Sequence, residues 1–280
     1  MGHFSNFSLL WKKGLCVAMG RLSRLRGPVM FCLALMFLGA APAVAGEVLV
    51  AVASNFAAPA ARIAAAFEAR TGHRVQRSSG STGKFYSQVL SGAPFEILLA
   101  ADAATPARLL QSRHAVAGSS MTYAMGQLVL WSATPGLVDA QGAVLRGNRF
   151  RHLAIANPTV APYGAAARQS LQALGIIQEV QDRIVTGESV GQVYQFVATG
   201  NAELGFLALS QVMDPQAPPG AMRPLKGSMW QVPSSLYDPI RQDAVLLTAG
   251  AANPVARAFM QFLKSDDARR LIASSGYLLP

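Results

Sequence analysis

EVLVAVASNFAAPAARIAAAFEART, residues 47–71, is the stretch that indicates the fold. It begins with a valine-rich apolar run at residues 48–53, which is typical of a buried strand. An alanine-rich helical pattern follows at residues 56–70, with only a few small polar residues between the two. A strand that leads directly into a helix is the repeating unit of α/β proteins. This stretch therefore predicts an α/β fold.

The same alternation continues along the chain to about residue 210. We predict further strands at residues 73–77, 95–100, 127–132, 152–156, 183–185, 204–209 and 244–248. We predict further helices at residues 82–91, 105–111, 164–174, 190–199, 253–264 and 266–274. Residues 214–224 hold four prolines and are predicted to form a loop.

These elements predict two α/β lobes, each a mainly parallel sheet flanked by helices, with a ligand cleft between them. We expect the chain to cross to the second lobe near residues 122–127 and to return near residues 236–243. The first lobe would then be discontinuous, with residues 46–125 plus 238–280. The second lobe would hold residues 126–237.

Residues 1–45 differ in character from the rest of the chain. They carry five basic residues and no acidic one, then an apolar run at residues 29–41 and the small-residue pattern AVA at residues 43–45. This order predicts a cleaved secretory signal peptide and a periplasmic protein. Because 45 residues is long for such a segment, we expect translation to start at or near Met19. Both cysteines lie in this segment, so the mature chain has no disulfide.

The charge of the mature chain argues against a nucleic-acid partner. Without the signal peptide the net charge falls from +10 to +5, and only three lysines remain among scattered arginines. Nucleic-acid-binding proteins usually concentrate basic residues on one face or segment.

Small, hydroxylated or glycine-flanked residues stand at four points where a predicted strand leads into a helix. They are ASNF at residues 53–56, SGSTG at 79–83, a stretch ending in PYG at 157–164, and GESVG at 187–191. Each presents free backbone N–H groups at the positive end of a helix dipole, which is an anion site without lysine or arginine. The same residue types are also ordinary helix caps. Sequence alone does not show whether the four junctions lie close together in space.

The mature chain resembles the periplasmic molybdate-binding proteins of ABC transporters over essentially its whole length. The resemblance is carried by AVASNF (51–56), SSGSTGKFYSQ (78–88), SGAPF (91–95), AAD (100–102), ANPTVAPYG (156–164), SVGQ (189–192) and ELGF (203–206). It implies a type II periplasmic solute-binding fold and a monomer without cofactor or catalytic activity. Its ligand would be molybdate or tungstate, delivered to the membrane permease of an ABC transporter.

The resemblance also implies which residues hold the oxyanion. Its oxygens, rather than the metal itself, would be bound by Ser54, Asn55, Thr82, Tyr163 and Val190, with Ser81, Gly164 and Ser189 as neighbouring donors. Ser54 and Thr82 would donate through hydroxyl and backbone N–H, and the other three mainly through backbone N–H. Thr82 stands where the family more often has serine.

The chemistry of the junctions fits a fully deprotonated dianion. Molybdate, tungstate and sulfate only accept hydrogen bonds, whereas phosphate retains a proton and needs an acceptor. Glu188 is the only acidic residue in the four junctions. Phosphate is therefore disfavoured, while a sulfate or other oxyanion receptor of the same fold stays open as an alternative.

A serine hydrolase with Ser81 as nucleophile is the alternative from another class. The sequence SGSTG misses the first glycine of a nucleophile elbow, and no histidine has an orienting acid nearby in sequence.

Overall fold

The computed structural model describes residues 45–214 and 225–280. The predicted signal peptide, apart from Ala45, and the predicted proline-rich loop, apart from Asp214, lie outside the described residues. Within them, no helix is long and apolar enough to cross a membrane.

The described residues form strands and helices in alternation, close to the predicted bounds. The strands are β1 (Glu47–Ala53), β2 (Arg74–Gly80), β3 (Ile97–Leu99), β4 (Met121–Gly126), β5 (Leu128–Ser132), β6 (Leu153–Ala156), β7 (Ile184–Gly187), β8 (Leu204–Ala208), β9 (Ser228–Gln231) and β10 (Ile240–Leu246). The helices are α1 (Ala57–Thr71), α2 (Thr82–Leu90), α3 (Ala104–Gln111), α4 (Pro162–Ala173), α5 (Ile177–Val180), α6 (Val190–Ala198), α7 (Pro254–Phe262) and α8 (Asp266–Ser274).

The strands build two sheets, and each sheet with its helices is called a lobe below. The first lobe has the order β2-β1-β3-β10-β4, in which β1 runs parallel to β2 and β3, and β10 runs antiparallel to β3 and β4. The second lobe has the order β7-β6-β8-β5-β9, with β6 parallel to β7 and β8 and β5 antiparallel to β8 and β9. The predicted α/β fold is confirmed.

The expectation of mainly parallel sheets is wrong in one respect, because both sheets are mixed. Part of the antiparallel pairing comes from β4 and β9, two strands that the sequence pattern did not indicate. The residues of β4, MTYAMG, show no clear apolar alternation, and β9, SMWQ, has only four residues. Short strands of mixed polarity are poorly marked by periodicity.

Local sequence explains where the helices begin and end. Helix α1 ends at Gly72, whose φ of 73° is left-handed and whose N–H donates to the carbonyl of Glu68. Helix α7 starts with the side chain of Asn253 accepting from the N–H of Val255, and Pro254 occupies the first turn. These signals agree with the predicted bounds.

Each lobe has a buried apolar core of its own. In the first lobe, Phe56, Ile63 and Phe67 pack with Phe259 and Ile272 between the sheet and helices α1, α7 and α8. Burying one such side chain stabilises the fold by about 1.5–3 kcal/mol. These cores hold the ends of the strands, and hence the four junctions, in place.

The chain passes between the lobes beside a pair of hydrogen-bonded strands. Strand β4 ends at Gly126 and β5 begins at Leu128, so Gln127 alone makes the outward connection. The returning chain enters β10 at Ile240, which is paired with Gly126. The crossings predicted at residues 122–127 and 236–243 therefore overlap strands β4 and β10 rather than forming free loops. The predicted lobe boundaries stay a prediction.

Candidate functional site

The four junctions meet at one small cavity between the lobes. Its lining residues are Ala53, Ser54, Asn55, Gly80, Ser81, Thr82, Ala101, Ala161, Pro162, Tyr163 and Val190. All five residues predicted to hold the oxyanion are among them. Among the described residues, no charged side chain lines the cavity.

Ser54 connects the cavity to the opposite lobe. Its Oγ accepts a hydrogen bond of 3.1 Å from the backbone N–H of Gly191, in the first turn of α6. A hydroxyl that accepts through its oxygen still has its hydrogen to donate. A Cβ at Gly191 would lie 3.1 Å from the Cβ of Ser54, so glycine allows this close approach.

Thr82 and Ser81 bring two more buried hydroxyls to the cavity. The Oγ1 of Thr82 accepts from the N–H of Ala101 at 2.9 Å, which again leaves the hydroxyl hydrogen free to donate. The Oγ of Ser81 is buried and has no hydrogen-bond partner within residues 45–214 and 225–280. Because buried polar groups are nearly always hydrogen-bonded, the Ser81 hydroxyl is suited to a ligand.

The side chain of Asn55 is held by the first lobe. Its Nδ2 donates to the Oε1 of Gln242 and to the hydroxyl of Tyr277, both at 2.9 Å. Its Oδ1 has no hydrogen-bond partner in the part of the chain that the structure describes. This arrangement fits the expectation that Asn55 would donate to a ligand mainly through its backbone N–H.

Tyr163 stands in the first turn of α4, and its ring is buried between the lobes. Its hydroxyl accepts from the Nε2 of Gln242 at 3.1 Å. Burial raises the pKa of Tyr163 well above its ordinary value, so the phenol is neutral. Tyr163 is the second residue of α4, so its backbone N–H has no partner within the helix and is a donor at the cavity that the residue lines.

Two of the predicted neighbouring donors do not line the cavity. The Oγ of Ser189 caps α6 by accepting from the N–H of Gln192 at 3.3 Å. The N–H of Gly164 donates to the carbonyl of Ala161 at 2.9 Å, and a Cβ at this residue would lie 2.1 Å from the carbonyl oxygen of Ala156. Both residues shape the junctions, and only Ser81 of the three reaches the cavity.

Further contacts join the lobes around the cavity. The N–H of Gly83 donates to the carbonyl of Val160 at 2.9 Å, and Lys84 forms an ion pair with Glu188 at 2.8 Å. Both charged side chains are more than half exposed, so the pair itself contributes little stability. Glu188 does not line the cavity and therefore supplies no acceptor there.

A wider groove between the lobes adjoins the cavity, but its chemistry is different. It shares the lining residues Ala101, Ala161 and Pro162 with the cavity. It also carries charges of both signs, including Asp102 and Arg241. Burial raises the pKa of Asp102, although the N–H and hydroxyl of Thr105 donate to its carboxylate. The groove is thus not a surface of donors alone.

The geometry does not support Ser81 as a nucleophile. In the described part of the chain no base contacts its Oγ. Among the histidines there, His73 accepts from the N–H of Gly46, His114 contacts Ser112, and His152 lies beside Glu203.

Sequence reasoning missed the residues behind the cavity. Gln242, Tyr277 and Ser210 bond to Asn55 but belong to no strand-to-helix junction. One signal was present, since Gln242 and Asp243 are polar residues in the apolar strand IRQDAVL.

Two α/β lobes that enclose a small cavity lined by hydrogen-bond donors define a solute-binding protein. The chain belongs to the family of bacterial extracellular solute-binding proteins, whose model matches residues 48–278.

Individual relatives agree with this assignment. The chain is 56% identical to the molybdate-binding protein ModA of Azotobacter vinelandii over 85% of this chain and 92% of the relative. It is 48% identical to the molybdate-binding protein ModA of Rhodobacter capsulatus over 88% of this chain and 94% of the relative. Both are named as binding proteins, and the prediction that the chain is not an enzyme is confirmed.

Solved structures are similar as well. The periplasmic molybdate-binding protein of Azotobacter vinelandii has a TM-score of 0.79 at 44% identity, covering 84% of this chain and all of that one. The sulfate-binding protein SubI of Mycobacterium tuberculosis has a TM-score of 0.64 at 14% identity, covering 84% of this chain and 87% of that one, which shows a shared fold alone.

Proposed function

We propose that this protein captures molybdate, and tungstate as well, in the periplasm and delivers it to the membrane permease of an ABC transporter. The observation that carries the proposal is the convergence of four junctions on one uncharged cavity lined by donors. The two relatives above, named for molybdate binding, support the choice of ion.

The donors available match the acceptors of a tetrahedral dianion. The first N–H groups of a helix have no partner within the helix, which leaves those of Thr82, Tyr163 and Val190 at the starts of α2, α4 and α6. With the N–H of Asn55 and the hydroxyls of Ser54, Ser81 and Thr82, about seven donors face four oxygens, each of which accepts one or two bonds. Helix dipoles supply the positive potential that such a charge needs.

Sulfate is the competing ligand, since it too is a dianion that only accepts hydrogen bonds. The choice between the ions depends on their size. Isothermal titration calorimetry of refolded, ligand-free protein with molybdate, tungstate, sulfate and phosphate in turn decides between them. We expect saturable binding of one molybdate or tungstate per chain and none of phosphate. A preference for sulfate would mean that the protein is a sulfate receptor instead. Binding of none of the four ions would overturn the proposal.

Delivery to a permease requires a loaded form that differs in shape from the empty one. We propose that residues 46–125 with 238–280 and residues 126–237 move as two lobes, and that closure around the ion creates the surface a permease binds. We expect a monomer, which light scattering of the loaded protein tests.

A further inference from the structure

Gln242 is a fully buried amide in β10, the strand on which the chain returns to the first lobe. Its Oε1 accepts from the Nδ2 of Asn55 at 2.9 Å and from the hydroxyl of Tyr123 at 3.0 Å. Its Nε2 donates to the hydroxyl of Tyr163 at 3.1 Å. Buried amide groups in protein cores nearly always have hydrogen-bond partners of this kind.

The partners of Gln242 come from both lobes. Asn55 follows β1 in the first lobe, whereas Tyr163 belongs to α4 in the second. Both are residues to which we assign ligand contacts. One side chain that lies outside the cavity lining thus holds a ligand-contacting residue on each side of the cleft.

A β-bulge fixes the orientation of this amide. Gln242 is paired with Ala124 and Asp243 with Thr122, so Tyr123 is an extra residue in β4. Bulges often redirect a side chain near a functional site. The hydroxyl of Tyr123 contacts the carbonyl of Ala100 and the Oε1 of Gln242, both at 3.0 Å. With donors on its oxygen, Gln242 presents its NH₂ group to Tyr163.

Glycine at residue 126 allows the contact with Tyr163. A Cβ there would lie 2.2 Å from the hydroxyl oxygen of Tyr163 and 2.7 Å from the Nε2 of Gln242. The phenol therefore reaches the paired strands β4 and β10 through space that any other residue would fill.

We propose that Gln242 is a positioning residue that links closure of the lobes to the ligand-contacting groups of Asn55 and Tyr163. Its bond to Tyr163 holds the start of α4 over the cavity, and its bond to Asn55 holds the first junction opposite. This inference rests on the proposed function.

Gln242→Met tests the proposal, because methionine keeps the length of the side chain and removes both hydrogen-bonding groups. We expect the dissociation constant for molybdate to rise about tenfold or more. The change should appear mainly in the dissociation rate, measured by stopped-flow fluorescence, because loss of closed-state contacts speeds release. A dissociation constant within about twofold of the wild type, with only a lower unfolding midpoint, would mean a structural role and overturn the proposal.

Tyr163→Phe removes the same bond from the other side and keeps the ring and the backbone N–H. If Gln242 acts through Tyr163, this variant weakens binding by a similar factor, and the double variant is no weaker than the worse single one. Multiplying effects in the double variant would contradict the proposal. Should Gln242→Met not fold, unchanged affinity in Tyr163→Phe alone overturns it.

Ser170→Ala is the matched control. Ser170 is also fully buried and lies on α4, where its Oγ donates to the carbonyl of Ala166 at 2.9 Å. Its replacement removes a buried hydrogen bond remote from the cavity, so affinity should not change. Wild-type protein that binds none of the oxyanions would refute the proposed function. Tight wild-type binding with unaltered Gln242 and Tyr163 variants would refute this inference alone.

Discussion

Two hydroxyls at the cavity are polarised by the protein before any ligand binds. Ser54 accepts from the N–H of Gly191, and Thr82 accepts from the N–H of Ala101. A hydroxyl that accepts one hydrogen bond becomes a stronger donor in the next, because hydrogen bonds in a chain polarise one another. These residues therefore suit an anion better than two isolated serines would.

Replacing both residues, as Ser54→Ala with Thr82→Ala, should weaken molybdate binding by roughly 3–6 kcal/mol, since each lost donor to a buried anion costs about 1.5–3 kcal/mol. Calorimetry measures the change. Thr82→Ser keeps the hydroxyl and serves as the control, with nearly unchanged affinity. Equal affinity in the double variant and the wild type would show that neither side chain donates to the ion.

Replacing Ser81 should have opposite effects on the stability of the ligand-free protein and on the binding of molybdate. Its buried hydroxyl has no partner in the described structure, and an unsatisfied buried group costs about 1–3 kcal/mol. Ser81→Ala should therefore leave the ligand-free protein as stable as before or more so, while weakening molybdate binding. Urea unfolding with and without molybdate measures both effects. Loss of stability without loss of affinity would show that the hydroxyl has no ligand role.

At the scale of helices and strands, the site depends on where helices begin. Helices α2 and α4 begin without a side-chain acceptor on their first N–H groups, and the Ser189 side chain at the start of α6 accepts only from Gln192. The first N–H groups of the three helices therefore remain for a ligand. The contact of Gly83, in the first turn of α2, with Val160 brings two of these starts together across the cleft. In the closure proposed above, this contact belongs to the closed form.

Gly83→Ala should separate closure from folding. A Cβ at this residue would lie 2.9 Å from the Cα of Val160, which obstructs the closed form, while alanine favours the helix itself. We expect an unfolding midpoint in the ligand-free protein at least as high as in the wild type, together with weaker molybdate binding. Thermal unfolding and calorimetry test the two parts. Ser87→Ala, on the same helix but exposed, is the control.

Sequence predicted the elements well where periodicity was strong and failed where it was weak. Strand β1 and helix α8 carry clear apolar patterns and were found almost to the residue, whereas β4 and β9 were missed. The junction residues were identified through resemblance and cap chemistry. Gln242 was not, because its role depends on a bulge in β4 and on long-range pairing, which one sequence does not reveal.

At the scale of the whole molecule, three buried tyrosines make stability sensitive to alkaline pH. Burial raises the pKa of Tyr123, Tyr163 and Tyr277 above the ordinary value. Below about pH 10 the phenols are neutral in both the folded and the unfolded protein, so the tyrosines contribute their full share to the free energy of unfolding. Above it, the unfolded chain loses protons that the folded chain keeps, so stability falls as pH rises.

The expected slope is about 4 kcal/mol per pH unit above pH 10, since each tyrosine contributes about 1.4 kcal/mol per unit. Urea unfolding between pH 9 and 12 measures it. Tyr277→Phe should reduce the slope by about a third. An unaltered slope in that variant would mean that Tyr277 ionises equally in both states.

The pairing of Gly126 with Ile240 brings the two ends of the second lobe together in the first lobe. These residues face each other across antiparallel strands, at a Cα separation of about 5 Å that a two-residue turn can span. In terms of chain path, the second lobe is an insertion at the tip of a β-hairpin in the first lobe. Insertions are best tolerated where the host chain's two ends already lie close together. A different lobe can therefore be inserted between Gly126 and Ile240 without changing the path of the chain in the first lobe.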